Sequence, residues 1–194
     1  MFIYILLAAL AARIKGYSIK PVLKDYSLYP LFLAEAVYIF LQISVFSGNY
    51  KFIPYAGVFK TFYLYTLIIP IVVHKLYKTG IYGSIILTLG SLMNKFVMSQ
   101  NGGKMPVYAT LSKHTGYFDE MVLGTADQIH VLGNEATKYK ILTDYIDVGY
   151  SILSIGDVLI HSFIFITIYS VIKSANINRQ QGESIRGKHT DSFN

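Results

Sequence analysis

Five apolar stretches decide what this chain can become: Met1 to about Ala12, Pro30 to Phe46, about Gly57 to Val73, about Gly80 to Gln100, and about Val148 to Ile172. A membrane-crossing helix needs about 20 mostly apolar residues, because hydrocarbon offers no partner to backbone N–H and C=O groups. The first stretch is short. It ends at Arg13 and Lys15, whose long stems can snorkel to complete it. No basic segment precedes it and no small-residue cleavage site follows, so it is expected to stay as a helix rather than leave as a signal peptide. Pro30 opens the second stretch, where its missing N–H costs nothing, and Pro70 predicts a kink in the third. The expectation is an all-α, polytopic membrane helix bundle of five transmembrane helices, spanning about 1–14, 30–46, 57–76, 80–100 and 148–172. A long, partly helical outer loop, 101–147, joins the fourth to the fifth. Residues 1–172 form one transmembrane domain, and 173–194 are expected to be a basic cytoplasmic tail without fixed structure.

Composition agrees. Of 194 residues, 53% are hydrophobic and only 14% charged, against about 25% charged in a soluble domain. Mean hydropathy is +0.44. There is no cysteine, which excludes disulfides, thiolate metal sites and cysteine nucleophiles. The net charge of +6 comes from lysines and arginines flanking the spans, where they face anionic headgroups. No basic patch interleaved with aromatics occurs, so nucleic acid is not an expected partner. The lipid bilayer is.

The basic residues also orient the chain. With the N-terminus outside, the inner segments 13–29, 74–79 and 173–194 hold ten Lys and Arg, and the outer segments 47–56 and 101–147 hold five. The long outer loop carries six acids, Asp119, Glu120, Asp127, Glu135, Asp144 and Asp147. Cytoplasmic loops favour Lys and Arg, which places the N-terminus outside and the C-terminus in the cytoplasm of a multi-pass protein. The outer loop is too long for a plain connector. Its apolar residues, among them Val107, Leu111, Met121, Val122, Ile129 and Leu142, predict short helices or re-entrant turns on the membrane surface.

Ionisable groups inside spans are where function is sought, because each costs several kcal/mol unless paired or hydrated. They are Glu35, Lys60, Lys95, Asp157 and His161. Helical spacing groups Glu35, Tyr38 and Gln42 on the second span, and Ser84, Thr88, Ser91 and Lys95 on the fourth. Gly83, Gly90, Asn94 and Asn101 line the neighbouring face of that helix, and Ser151, Ser154, Asp157 and His161 share one third of the fifth. Asp157, about nine residues into its span, Lys95 and Lys60 all fall in the outer half of the bilayer. An Asp157–Lys95 pair is expected, either as a device that fixes helix register or as the floor of a site. The run Ser99-Gln100-Asn101-Gly102-Gly103-Lys104-Met105-Pro106-Val107 reads on spacing as a helix C-cap followed by a turn. It is no P-loop. His114 and His130, with Asp119, Asp127, Asp144 and Asp147, lack a diagnostic metal spacing, and no metal ligand set is assigned. No cofactor is indicated, and no nucleophile elbow or His-Glu-x-x-His pair occurs.

Asn94 with Asn101-Gly102-Gly103-Lys104-Met105-Pro106-Val107 resembles the Asn-Gly-x-Met-Pro-Val signature of the DUF5317 family of small bacterial membrane proteins. Ser154-Ile155-Gly156-Asp157-Val158-Leu159-Ile160 resembles the run that opens that family's last span. His130-Val131, Leu142-x-Asp144-x-Ile146 and Arg13-Ile14-Lys15-Gly16 are similar to further family elements. The Gly-Gly pair adds one residue to the single-Gly form. The resemblance covers most of residues 1–172. It implies a protein of the bacterial cell membrane and no particular activity, since the family's function is unknown. It singles out Asn94, Asn101, Gly102, Met105, Pro106, His130, Asp144 and Asp157.

Three functional readings follow. The first is a binding, sensing or transport module for a small molecule or ion, with an outward-facing polar pocket. Asp157, Lys95 and Asn94 would form its floor, and Asn101, Gly102, Met105 and His130 its roof, with Asp144 and His161 completing the ligand-binding set. The second is a membrane-embedded enzyme acting on a lipid or isoprenoid, with Asp144 or Asp157 as base and His130 as acid or ligand. The third is a structural subunit that requires membrane partner subunits.

Overall fold

The computed structural model describes residues 1–120, 123 and 129–191, with side chains through residue 180. Met121, Val122 and Asp127 lie outside the described residues. The fold is mostly helical. Helix α1 is Phe2–Ile14, α2 Tyr29–Phe46, α3 Ala56–Thr66, α4 Ile68–Val73, α5 Tyr77–Gln100, α6 Leu111–Thr115 and α7 Ile155–Asp191. Among the described residues, four segments are long and apolar enough to cross a membrane: Tyr26–Phe46, Ile53–Val73, Tyr77–Gln100 and Ile155–Gln180. This is a multi-pass membrane protein. The first apolar helix has 13 residues, about 20 Å at 1.5 Å per residue, which is less than a hydrocarbon core. It packs chiefly against α7, through the buried residues Ala8 and Ala12.

Bundle packing follows the rule for lipid-embedded helices, where small residues let backbones approach. The closest pair is α5 with α7. A Cβ on Gly90 would stand 2.4 Å from the Gly156 carbonyl oxygen, and one on Gly83 would strike the Phe163 ring. The core between the helices contains Leu28, Leu31, Tyr63, Leu67, Ile164, Ile168 and Val171. The opposite, lipid-directed surface exposes Leu33, Phe62, Ile81 and Tyr82.

The expected kink in the third span appears at Leu67, between α3 and α4, rather than at Pro70 itself. Pro70 cannot donate to the carbonyl four residues back, and its ring crowds that carbonyl, which belongs to Thr66. The break therefore falls one turn upstream.

On the side away from the long loop, two contacts fasten the chain. His74 Nε2 lies 2.5 Å from Asp25 Oδ2. Asn176 accepts from the Ser18 N–H at 2.8 Å and donates to the Ser18 carbonyl at 2.9 Å, as a strand neighbour would. The helical backbone of α7 runs through Asp191, so the segment from Ser174, expected to lack fixed structure, continues the last helix.

The long loop forms a cap of mixed character, and here the all-α expectation needs correction. Besides α6 and a 3-10 turn at Lys140–Leu142, it contains β1 Met105–Val107, β2 His130–Leu132, β3 Ile146–Asp147 and β4 Ile152–Leu153. Strands β1 and β2 pair in parallel, Met105 with His130, and β3 and β4 pair antiparallel. On its other edge β1 meets Asp144, whose N–H donates to the Pro106 carbonyl and whose carbonyl accepts from the Tyr108 N–H. The fifth span also begins later than residue 148. Residues 146–153 are a hairpin of the cap, and the helix starts at Ile155.

Candidate functional site

The late start of α7 has a local cause. Ser154 stands just ahead of the helix, and its Oγ accepts from the Asp157 N–H at 2.9 Å. Ser-x-x-Asp is a capping pattern legible in the sequence. Asp157 therefore lies in the first turn of α7, about 3 Å along it by helical rise, and not nine residues deep. The Gly90–Gly156 approach brings α5 against this turn, and a Cβ on Gly156 would collide with Asn94 Oδ1 at 2.0 Å. Asn94 is pinned there from both ends. Its Oδ1 accepts from Ser154 Oγ at 2.8 Å, and its Nδ2 donates to Asp157 Oδ1 at 3.3 Å.

The cation beside Asp157 is Lys60, from the first turns of α3, with Nζ 2.7 Å from Asp157 Oδ1. Lys95, the expected partner, is exposed on the far face of α5. The two lysines lay at comparable depths, so depth could not choose between them. The rotation of α5 does: with Gly83, Gly90 and Asn94 turned toward α7, the Ser84, Thr88, Ser91 and Lys95 stripe points away. Lys95 leaves the candidate site and Lys60 replaces it. The Asp157 side chain is 12% exposed and that of Lys60 33%.

Other polar groups surround this pair. His161, one turn further along α7, is buried, and neither of its ring nitrogens has a hydrogen-bond partner. Its ring packs on Tyr4 of α1, centroids 5.3 Å apart. From α2, Glu35 is buried and accepts from the Tyr63 hydroxyl at 2.6 Å, and Met1 places its α-amine 3.9 Å from the other carboxylate oxygen. Tyr38 packs edge-on to Tyr63, and Gln42 reaches the Tyr150 carbonyl at 3.5 Å. Glu35 and Tyr38 of the second-span stripe thus face the interior, with Gln42 at its edge.

Above this cluster lies the cap. Asp144 is 3% exposed. His130 Nε2 approaches its Oδ2 at 3.2 Å, and its Oδ1 has no hydrogen-bond partner. Burial pushes the Asp144 carboxyl above the ordinary carboxylate range, against the downward pull of His130. Asp157 and Lys60 are near enough to act on its charge. Asp147 behaves oppositely. Burial alone would raise it, but N–H donors from Ser112, Thr110 and Gly149 and the Ser112 hydroxyl outweigh burial and hold it low. It is a cap fastener with its oxygens fully used.

The remaining expected site residues are structural in their contacts. Asn101 ends α5, and Gly102 and Gly103 follow with φ of +66° and +79°. Gly103 N–H returns to the Met98 carbonyl at 2.8 Å, the long bond of a Schellman cap. This is the helix C-cap expected from spacing. Asn101 itself joins helix to cap. Its Nδ2 donates to the Val97 and Lys138 carbonyls and its Oδ1 accepts from the Lys138 N–H. Met105 is buried in β1. Among the described residues no group of three or more His, Asp or Glu is placed to hold a metal ion. Among the described residues, two largely apolar grooves open on the surface of the bundle. One is lined by Phe2, Ile39, Gln42, Phe46 and Tyr150, the other by Leu64, Ile68, Ser84, Leu87 and Phe163. Neither reaches Asp157, which is enclosed by its partners rather than set at the floor of an open pocket.

Known proteins add membership but no activity. A family of unknown function, DUF5317, matches residues 20–169. An uncharacterized protein of Thermotoga maritima is 29% identical over 167 residues, covering 73% of this chain and 91% of that one. No solved structure matches.

Proposed function

The chain belongs to the DUF5317 family, and from that premise we propose that it is a binding, sensing or transport module of the bacterial cell membrane. It crosses five times, with the N-terminus outside and the C-terminus in the cytoplasm. Its site faces outward and takes a small molecule or ion at Lys60, Asn94 and Asp157, beneath the cap. The observation that carries this reading is the ion pair Lys60–Asp157 at 2.7 Å inside the helix bundle, under a cap that buries a second carboxylate, Asp144, with one oxygen unpaired. A pair needed only for register would not require Asp144 nearby. The fifth crossing is supported by the packing of α1 along α7 through Ala8 and Ala12, with Phe2, Leu6, Leu7 and Leu10 exposed on its other faces as a lipid-facing helix requires.

The absence of cysteine makes the test direct. A single cysteine at position 60 should react with a small, charged, membrane-impermeant thiosulfonate applied from the outside. A position reached only from the cytoplasm, or from neither side, overturns the outward-facing site.

One observation favours the structural-subunit reading as a second. Ser84, Thr88 and Lys95 lie exposed along α5 within a span, and a neighbouring membrane helix could cover them. The enzyme reading has only the His130–Asp144 contact in its favour.

A further inference from the structure

We propose that Asp157 is a cation-exchange site, in which Lys60 is a tethered competitor that an incoming small monovalent cation, Na⁺ or a proton, displaces from the carboxylate. The inference rests on the outward-facing site proposed above and names the class of its ligand.

Three features point this way. The first is the unequal burial of the pair. The Lys60 side chain is a third exposed and the Asp157 side chain about a tenth. The ammonium, on a flexible four-carbon stem, can swing to the interface, whereas the carboxylate, in the first turn of α7, cannot follow. A register device would hold both ends fast.

The second is the oxygen set around Asp157. The Asn94 amide and the Ser154 hydroxyl both lie against the same turn. Hard monovalent cations take oxygen ligands, and an amide oxygen and a hydroxyl supply them beside the carboxylate without adding charge. Asn94 Oδ1 accepts from Ser154 Oγ at 2.8 Å and keeps a second lone pair, while its Nδ2 donates to Asp157 through the longest of these bonds, 3.3 Å, the one an incoming cation displaces most readily.

The third is the unmet polar capacity next to the pair. His161 sits one turn below Asp157 and is 4% exposed, with both ring nitrogens unpartnered. Above, Asp144 is 3% exposed with Oδ1 unpartnered. Buried polar groups are nearly always hydrogen-bonded, and an exception calls for a ligand, ion or water. Here two exceptions flank one ion pair. With Lys60 swung out, a cation at Asp157 and its hydration water would meet both.

The carboxylate exchanges one cationic partner for another: one cation enters, the ammonium stays on the chain but leaves the carboxylate, and the occupied protein carries one more positive charge, held by the ammonium now at the interface. The groups facing Asp157 that can alter this balance are Lys60 from α3, His161 on α7, Tyr4 from α1, Tyr38 from α2 and Asp144 from the cap, with Glu35 and the Met1 α-amine beyond them. Protons and Na⁺ compete for the same oxygens, so the apparent Na⁺ requirement must rise as pH falls.

The test uses the purified full chain in detergent or nanodiscs. Thermal unfolding is followed in NaCl against choline chloride at equal ionic strength. Wild type should gain stability in Na⁺ with a saturating dependence whose midpoint moves to higher Na⁺ at lower pH. A dependence on pH without any on Na⁺ identifies the proton as the cation. Lys60→Met should lower the Na⁺ midpoint about tenfold or more, because a unit charge at contact distance no longer competes. Lys60→Gln serves if the methionine variant does not accumulate. Asp157→Asn should abolish the ion dependence. A folded Lys60→Met or Lys60→Gln protein with no cation response at any pH overturns the exchange site. That result leaves the outward-facing reading standing if position 60 is still reached from outside, whereas failure of the cysteine reaction removes that reading even when the ion response is present.

Discussion

Lys60 and Asp157 lie 97 residues apart in sequence and 2.7 Å apart in space. They meet where the start of α3, the end of α5 and the start of α7 converge beneath the cap. Removing one partner of a buried pair leaves an uncompensated charge, worth up to 3–5 kcal/mol when fully buried. Lys60 is a third exposed, so Lys60→Met should cost less, about 2 kcal/mol, after allowing for solvent screening. A double-mutant cycle with Asp157→Asn, read by thermal unfolding, should show the double variant less destabilised than the sum of the singles. Strict additivity would mean that the two side chains do not interact.

The α5–α7 contact should be the least tolerant of added volume. A methyl group on Gly156 would lie 2.0 Å from Asn94 Oδ1 and 2.6 Å from the Gly90 carbonyl, whereas one on Gly57 meets nothing within 4 Å. Gly156→Ala should cost about 3 kcal/mol, at the upper end of overpacking, and should strip Asn94 from the pair. Gly57→Ala should be neutral or slightly stabilising. Yields of folded protein by size-exclusion chromatography distinguish the two.

Asn101 holds the cap to the end of α5 through paired bonds with Lys138 at 2.9 and 3.1 Å. Asn101→Ala loses both, at about 1 kcal/mol each. The expected effect is local: cleavage of the cap by protease speeds up while the helices melt as before. Equal loss in both would show that cap and bundle unfold together.

The two cap carboxyls should give opposite pH dependence. Asp147 is held low in the folded state, so its contribution is present above the ordinary carboxylate value and disappears as pH falls through the folded one. Asp147→Asn should therefore lower cap stability at neutral pH and flatten the acid limb. Asp144 is raised, so its contribution is complete below the ordinary value and is lost as pH rises through the folded one. Asp144→Asn should remove that loss. Protease resistance of the cap as a function of pH, variant by variant, reads both.

Topology is open to the same cysteine chemistry. A cysteine at Glu135, in the cap, should react with an impermeant maleimide on intact cells, and one at Lys20 only after permeabilisation. The reverse pattern would invert the protein in the membrane.

What the sequence determined here is additive along the chain. Apolar length shows four spans, and Pro70 and the Asn101-Gly102-Gly103 run mark a kink and a helix end, because each acts within one turn. Apolar length alone puts the start of the last helix at about 148, although Ser154-x-x-Asp157 carries the cap that sets it at Ile155. Four of the residues singled out by the family motifs, Met105, Pro106, His130 and Asp144, share one small sheet of the cap. Tertiary structure alone decided the partner of Asp157. Lys60 and Lys95 differ little in composition or depth, and the choice depends on how α5 is rotated. That rotation is set by the close approach of Gly90 to Gly156, a contact between residues 66 positions apart along the chain. The cap's strands were hidden for the same reason. Three-residue segments carry too little periodicity to announce themselves, and Met105–Val107 becomes a strand only because His130–Leu132 and Asp144 arrive on its two edges to bond its backbone.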